Sequence, residues 1–259
     1  MKVTILGCGA SGGVPLIGAN WGNCDPANPR NRRRRASILV EDRNTRILVD
    51  VSPDCRAQLL DAEVAHLDAV LFTHVHADHC HGIDELRWVN NVIGAPLDVY
   101  GAAASFEELN RRFGYAFEPF IDYSRTGYYY RPVLRWQAID GPLEIGDVSV
   151  LPFEQDHGFS RTFGFRFGSF AYSTDVVVLD DKAFECLAGV ETWVVGCLRE
   201  EWHKTHANLE TVLEWAERLG PRRVVLTHMS HWLDYQTLKD KLPTGIEPAY
   251  DGMVLDIRQ

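Results

Sequence analysis

The stretch THVHADHCHG, residues 73–82, places four histidines and an aspartate within ten positions. It follows a short apolar run, 69–72, that reads as a buried strand. Alternation along an extended chain points His74 and His76 the same way. Asp78 and His79 come where the chain turns toward a helix, so they can face a second ion, and Gly82 permits the turn. Histidine is a borderline ligand suited to zinc, manganese or iron, whereas aspartate is harder.

One such motif closes only part of two coordination shells. Ligand-type residues recur just past other apolar runs. His157 stands in EQDHG after 148–153, Asp175 in YSTD after 170–173, and His228 in LTHMS after 224–227. A lone histidine in such a place is more often structural. Repetition at successive strand ends, alongside the dense motif, points instead to a metal centre. His66 reads as a surface residue.

The 259 residues, 46% of them apolar, suffice for one large α/β core, and a single domain over 1–259 is expected. A net charge of −10 removes any general attraction to nucleic acid or anionic membrane, so neither long nucleic acid nor membrane is an expected partner. No stretch approaches the ~20 apolar residues of a membrane helix. The opening MKVTILGC has an apolar run at 3–6, shorter than the roughly 7–15 residues of a signal core, and reads as a first strand. Six cysteines (Cys8, Cys24, Cys55, Cys80, Cys186, Cys197) show no pair spacing, which fits reduced thiols and a cytoplasmic location.

Apolar runs at 3–6, 37–40, 46–51, 69–72, 97–100, 148–153, 162–167, 170–173, 192–195 and 224–227 predict strands. Helical spacing is found at 53–60, 83–91, 106–112, 180–187 and 207–219. Strand-only stretches alternate with strand–helix stretches in both halves, which favours two packed sheets with helices outside over one doubly wound sheet. Segments 9–35 and 113–131 have little regular pattern and invite a functional reading.

GCGASG, residues 7–12, matches a dinucleotide-binding fingerprint, but Pro15 and the run to Arg35 forbid the helix that fingerprint requires. The glycines form either a tight loop whose amides approach an anion or a plain turn. RNRRRRAS, residues 30–37, is the dense basic run. It reads either as a solvated face or as a source of one or two arginine forks for phosphate. The eight aromatics of 113–131 suit a lid, a homodimer contact or a cover over apolar core.

H-x-H-x-D-H followed by a lone His, Asp and His resembles the metallo-β-lactamase superfamily, and the likeness runs along essentially the whole chain. It implies an αββα sandwich, two mixed β-sheets flanked by helices, with two divalent metal ions, zinc or manganese, at one edge. By that resemblance His74, His76 and His157 hold one ion, Asp78, His79 and His228 hold the other, and Asp175 bridges them. Cys80 and His81 fall at variable positions of the motif. GASGGVP, residues 9–15, is similar to the N-terminal loop of the tRNase Z and phosphoribosyl cyclic phosphodiesterase branches. THANLETVLEWAERLGPRRVVLTHMSH, residues 205–231, is similar to the latter, and His206 matches its catalytic histidine, with His203 the nearby rival. His206 and Asp78 are thus the catalytic candidates. That branch also carries a four-ligand structural zinc. Here its places read Ala19, Trp21, Cys24 and His231, so a complete zinc site is not expected.

The resemblance implies a dinuclear phosphodiesterase that attacks a small cyclic or nucleotide-like phosphodiester with a metal-bridged hydroxide, His206 protonating the leaving group. The alternatives are a tRNA 3′-processing endoribonuclease, a carboxylic ester, thioester or lactone hydrolase, and a non-catalytic metal-binding protein.

Overall fold

The computed structural model describes residues 1–120 and 126–258. Residues 121–125, part of the aromatic segment 113–131, lie outside the described residues. Two seven-stranded mixed sheets face each other, with helices on the outside. The first runs β14-β1-β2-β3-β4-β5-β6, built from Met253–Asp256, Lys2–Gly7, Ser37–Asp42, Thr45–Val49, Ala69–Leu71, Leu97–Gly101 and Leu134–Ala138. The second runs β13-β12-β11-β10-β9-β8-β7, built from Ile246–Pro248, Arg223–Thr227, Thr192–Gly196, Phe170–Ser173, Arg161–Phe167, Val148–Asp156 and Leu143–Ile145.

The period of two decides which way each strand's residues face. In β2, β3 and β4, Ile38, Val40, Ile47, Val49, Ala69 and Leu71 join the core between the sheets. Their neighbours Leu39, Leu48 and Val70 turn outward. There they meet Leu59 of helix α1 (Cys55–Asp61), Leu86 and Val89 of α3 (Leu86–Ile93), and Leu109 of α4 (Ala103–Phe117). The inner core also takes Phe153, Phe165, Tyr172 and Trp193 from the second sheet. β2, β3 and β4 are largely buried on both faces, which is why these runs read as nearly continuous apolar stretches.

Two sequence expectations shift. The helix expected at 106–112 extends over Ala103–Phe117, with a kink at Phe113 (φ −129°, ψ 30°), so the start of the supposedly irregular segment is helical. The helix expected from 207 begins at Leu209 (α6, Leu209–Leu219), because the Asn208 side chain accepts from Thr211 N and caps it. The remaining helices are α2 (Ala77–Cys80), α5 (Asp181–Leu187) and α7 (Tyr235–Lys241). No helix among the described residues is long and apolar enough to cross a membrane.

Candidate metal centre

The site is built where strands end. Asp50 follows β3, residues 73–79 follow β4, His157 follows β8, Asp175 follows β10 and His228 follows β12. Three of these residues take left-handed backbone: Asp50 at φ +65°, Asp175 at φ +50° and His228 at φ +52°. Non-glycine residues hold such conformations at a cost on the order of 1–3 kcal/mol each, and the cost concentrates at functional sites.

The structure brings together all seven side chains expected as ligands. His74, His76, His157 and Asp175 offer ligand atoms within 4.8 Å of one another, as do Asp78, His79 and His228. The carboxylate of Asp175 stands between the groups. Its Oδ1 lies 3.9 Å from His74 Nε2 and 3.7 Å from His157 Nε2. Its Oδ2 lies 3.1 Å from His79 Nε2 and 3.3 Å from His228 Nε2.

Hydrogen bonds on the far side of each ring decide what faces inward. Asp50 accepts from Thr73 N (2.8 Å) and from Thr73 Oγ1 (2.8 Å), and its Oδ2 lies 2.7 Å from His79 Nδ1. With its proton committed to Asp50, Thr73 Oγ1 accepts from His74 Nδ1 at 3.0 Å. His157 Nδ1 donates to the carbonyl of Thr205 at 2.7 Å. His74, His79 and His157 therefore each carry their proton outward and turn an Nε2 lone pair into the site. His79 Nε2 is buried and makes no hydrogen bond, although Asp78 Oδ2 stands at 3.2 Å and Asp175 Oδ2 at 3.1 Å. His74 Nε2 likewise faces His76 Nδ1 at 2.9 Å. Imidazole nitrogens and carboxylate oxygens thus converge at close range around His79, Asp78 and Asp175, and divalent cations between them would satisfy them together. The donor set, nitrogen with carboxylate oxygen and no thiolate, fits divalent ions of the zinc or manganese kind.

The carboxylates and imidazoles of the site shift one another strongly. Burial opposes charge on Asp78, but His79 and His228 outweigh it and hold the carboxyl well below the usual range. Burial likewise opposes charge on Asp175, and His228 and His79 again hold it well below. Burial lowers His74 strongly and His157 to about 4, so both rings are neutral and ready to donate. At His79 burial is outweighed by Asp78, Asp175 and Asp50, which raise its pKa and favour a proton on Nε2 when no cation is bound; a bound ion would take that proton's place.

His206 lies beside this cluster. Its Nε2 is 3.0 Å from Asp175 Oδ1, its Nδ1 is 2.8 Å from Thr205 Oγ1, and its ring stacks on His228 with centroids 5.1 Å apart. His206 also lies within ligand reach together with Asp175 and His228. His203 sits behind it, Nδ1 to Nδ1 at 3.2 Å. His66 is exposed and pairs with Asp68.

Asp50 was not singled out from the sequence. The available signal is a likeness between ILVD at 47–50 and AYSTD at 171–175, two apolar runs that end in aspartate.

The glycine loop is a fastening. The amides of Gly9, Ala10 and Gly13 are bonded to Arg34 O, Met229 O and Ala10 O, and Met229 N returns to Cys8 O, which pins the chain beside His228. A Cβ at Gly7 would collide with the carbonyl of Arg35. The basic run disperses. Arg30 lies over Tyr235 and Tyr250, Arg32 over Trp21, Arg34 pairs with Asp61, and Arg35 pairs with Asp54. Arg33 is buried and donates to the carbonyls of Ser230 (3.0 Å) and Leu233 (2.6 Å). Cys24 lies 3.4 Å from the carbonyls of His231 and Leu233, and burial raises its thiol pKa. Among the described residues no metal-capable cluster includes Cys24.

In the aromatic segment, Phe113 and Phe117 pack on the outer core of the first sheet, whereas Tyr128 and Tyr130 are about half exposed.

Residues 45–229 match the family described as the beta-lactamase superfamily domain. A crystal structure of a diphosphatase from the PhnP family superposes with a TM-score of 0.90 at 31% identity, covering 99% of this chain and 98% of that one. The chain is 32% identical over 258 residues to an octanoyltransferase of Porphyromonas gingivalis, 98% of this chain and 51% of that protein. It is 29% identical over 137 residues to ribonuclease Z of Methanopyrus kandleri, 51% of this chain and 43% of that protein. It thus spans about half the length of the octanoyltransferase. The chain belongs to the metallo-β-lactamase superfamily, with PhnP-family and ribonuclease Z proteins among its relatives.

Proposed function

We propose that the protein is a metal-dependent phosphodiesterase acting on a small cyclic or nucleotide-like phosphodiester. The observation that carries this reading is the placement of Asp175, one carboxylate oxygen toward each half of a donor set that holds two aspartates and no thiolate. His74, His76 and His157 would hold one ion, Asp78, His79 and His228 the other, and Asp175 both. When bound, two divalent ions, zinc or manganese, supply Lewis acidity that neutralises phosphoryl charge and lowers the pKa of water.

The chain's own residues supply the rest. Asp50 fixes His79 directly and His74 through Thr73, so two ligands turn together. Asp78 is a ligand with a strongly acidic carboxyl and stays ionised. His206 directs Nε2 at the site, with Nδ1 anchored on Thr205 Oγ1, and is the group placed to hand a proton to a leaving alkoxide. Likeness along its whole length to a PhnP-family diphosphatase supports phosphoryl chemistry. The net charge of −10 disfavours a long tRNA substrate.

A second reading, hydrolysis of a carboxylic ester, thioester or lactone, draws on the relative named as an octanoyltransferase. That name belongs to a chain about twice as long, so acyl transfer can reside in its other half. Purified protein reconstituted with zinc or manganese and offered bis(p-nitrophenyl) phosphate, a lactone and an acyl thioester separates the readings. Preferential turnover of the phosphodiester is expected, and turnover of the thioester or lactone alone would replace this reading with the second.

A further inference from the structure

The peptide between His74 and His76 is held from outside the metal centre. Among the described residues the carbonyl of Val75 receives no backbone N–H. Its partners are the thiol of Cys80, at 3.4 Å, and the guanidinium of Arg112, whose Nη2 lies at 2.7 Å. Arg112 Nη1 reaches Cys80 Sγ at 3.6 Å and His81 Nε2 at 3.2 Å. A guanidinium can only donate, so His81 Nε2 accepts and its proton sits on the other nitrogen. Glu108, one turn earlier on α4, takes Nη2 at 2.9 Å and fixes the fork from behind.

The local backbone serves this reach. Arg112 immediately precedes the kink at Phe113, whose ring then packs edge-on against His81 with centroids 5.5 Å apart. Consecutive residues of α4 thus grip Cys80 and His81, which directly follow His79 in the motif. Arg112 is three-quarters buried, whereas its neighbour Arg111, paired to the same Glu108 oxygen, is 74% exposed. The fork geometry matters here, because a lysine ammonium cannot span Val75 O and His81 Nε2 in one plane.

We propose that Arg112 is a positioning residue for the metal ligands. By clamping the Val75 carbonyl it sets the relative orientation of His74 and His76 and ties helix α4 to the ion that these histidines and His157 would hold. The inference rests on the metal reading of the site and not on the choice of substrate.

The test is zinc affinity, measured on the whole metal-free chain by competition with a chromophoric chelator, for wild type, Arg112→Ala, Arg112→Lys and the control Arg111→Ala. Outer-sphere partners of metal ligands typically contribute about 10–100-fold in affinity. Arg112→Ala should weaken one zinc equivalent by that factor, Arg112→Lys should restore only part, and Arg111→Ala should match wild type. The melting temperature of metal-free Arg112→Ala should stay close to that of wild type, which separates positioning from general destabilisation. Zinc affinity in Arg112→Ala equal to wild type, or an equal loss in Arg111→Ala, overturns the proposal. If Arg112→Ala does not fold, Arg112→Lys and Arg112→Gln carry the same expectation. Failure of wild type to bind zinc would sink the metal reading itself, a result distinct from loss of the Arg112 effect.

Discussion

Asp50 and Asp175 occupy equivalent places in the two sheets and grip opposite nitrogens of one imidazole. Each follows the central strand of its sheet, β3 or β10, antiparallel to the strand before it and parallel to the strand after it. Each takes left-handed backbone. Asp50 Oδ2 lies 2.7 Å from His79 Nδ1, and Asp175 Oδ2 lies 3.1 Å from His79 Nε2. The repeated architecture thus places one aspartate behind the His79 ring and the other between the two halves of the donor set.

Asp50→Ala should therefore weaken metal binding although Asp50 faces away from the ions. The ring of His79 loses its acceptor, and Thr73 loses the partner that fixes His74. A loss of about 10–100-fold in affinity is expected by chelator competition. Unchanged affinity would mean that packing alone orients His79.

His206→Ala should keep its metal and lose activity selectively. A general acid contributes typically ~10²–10⁴ in rate, and more when the leaving group is basic. The variant should lose much on an alkyl phosphodiester and far less on a p-nitrophenyl ester, compared by kcat at matched metal content. Equal losses on both substrates would rule out leaving-group protonation by His206, and lost metal would assign it to the coordination shell with Asp175 and His228.

Arg33→Met should destabilise the fold without touching the reaction. The buried guanidinium bonds the carbonyls of Ser230 and Leu233 and the side chain of Asn31. Each buried acceptor left unsatisfied costs about 1–3 kcal/mol. Denaturant titration should show a shifted midpoint, while elemental analysis of wild type should find no third, structural zinc at Cys24 and His231. A third tetrahedral zinc there would contradict this.

Stability should fall as pH rises through the range set by Asp251. Burial raises its pKa from the ordinary carboxylate range, about 4, to about 6, against the hydrogen bonds from Arg34 and Cys8. Between those values the folded chain keeps a proton that the unfolded chain has released, so the contribution is favourable at low pH and lost by pH 6. Two pH units correspond to about 3 kcal/mol. Wild type and Asp251→Asn, unfolded in urea at pH 4.5 and pH 7, should differ in their pH dependence by an amount of that order. Parallel behaviour would place the titration elsewhere.

The sequence announces the middle of each sheet and hides its rims. All ten predicted strands are present. The four that escaped, β6, β7, β13 and β14, are the four edges. Edge strands are short and pair on one side only: β6 (LRWQA) has its apolar residues interrupted, and β14 (MVLD) has only three in a row. The seven candidate ligands were legible because each stands just past a buried strand. Asp50 stands in the same kind of place, but a single aspartate after an apolar run carries no mark of its own. Arg33 was invisible for a different reason: nothing in four consecutive arginines tells which one the chain will bury.

The metal content of wild type and Asp175→Ala tests the account most directly. Protein reconstituted with zinc, then desalted, should carry two equivalents in wild type, and Asp175→Ala should lose most of both, because each carboxylate oxygen faces one half of the donor set. Retention of two tightly bound ions in Asp175→Ala would contradict a centre organised around that residue.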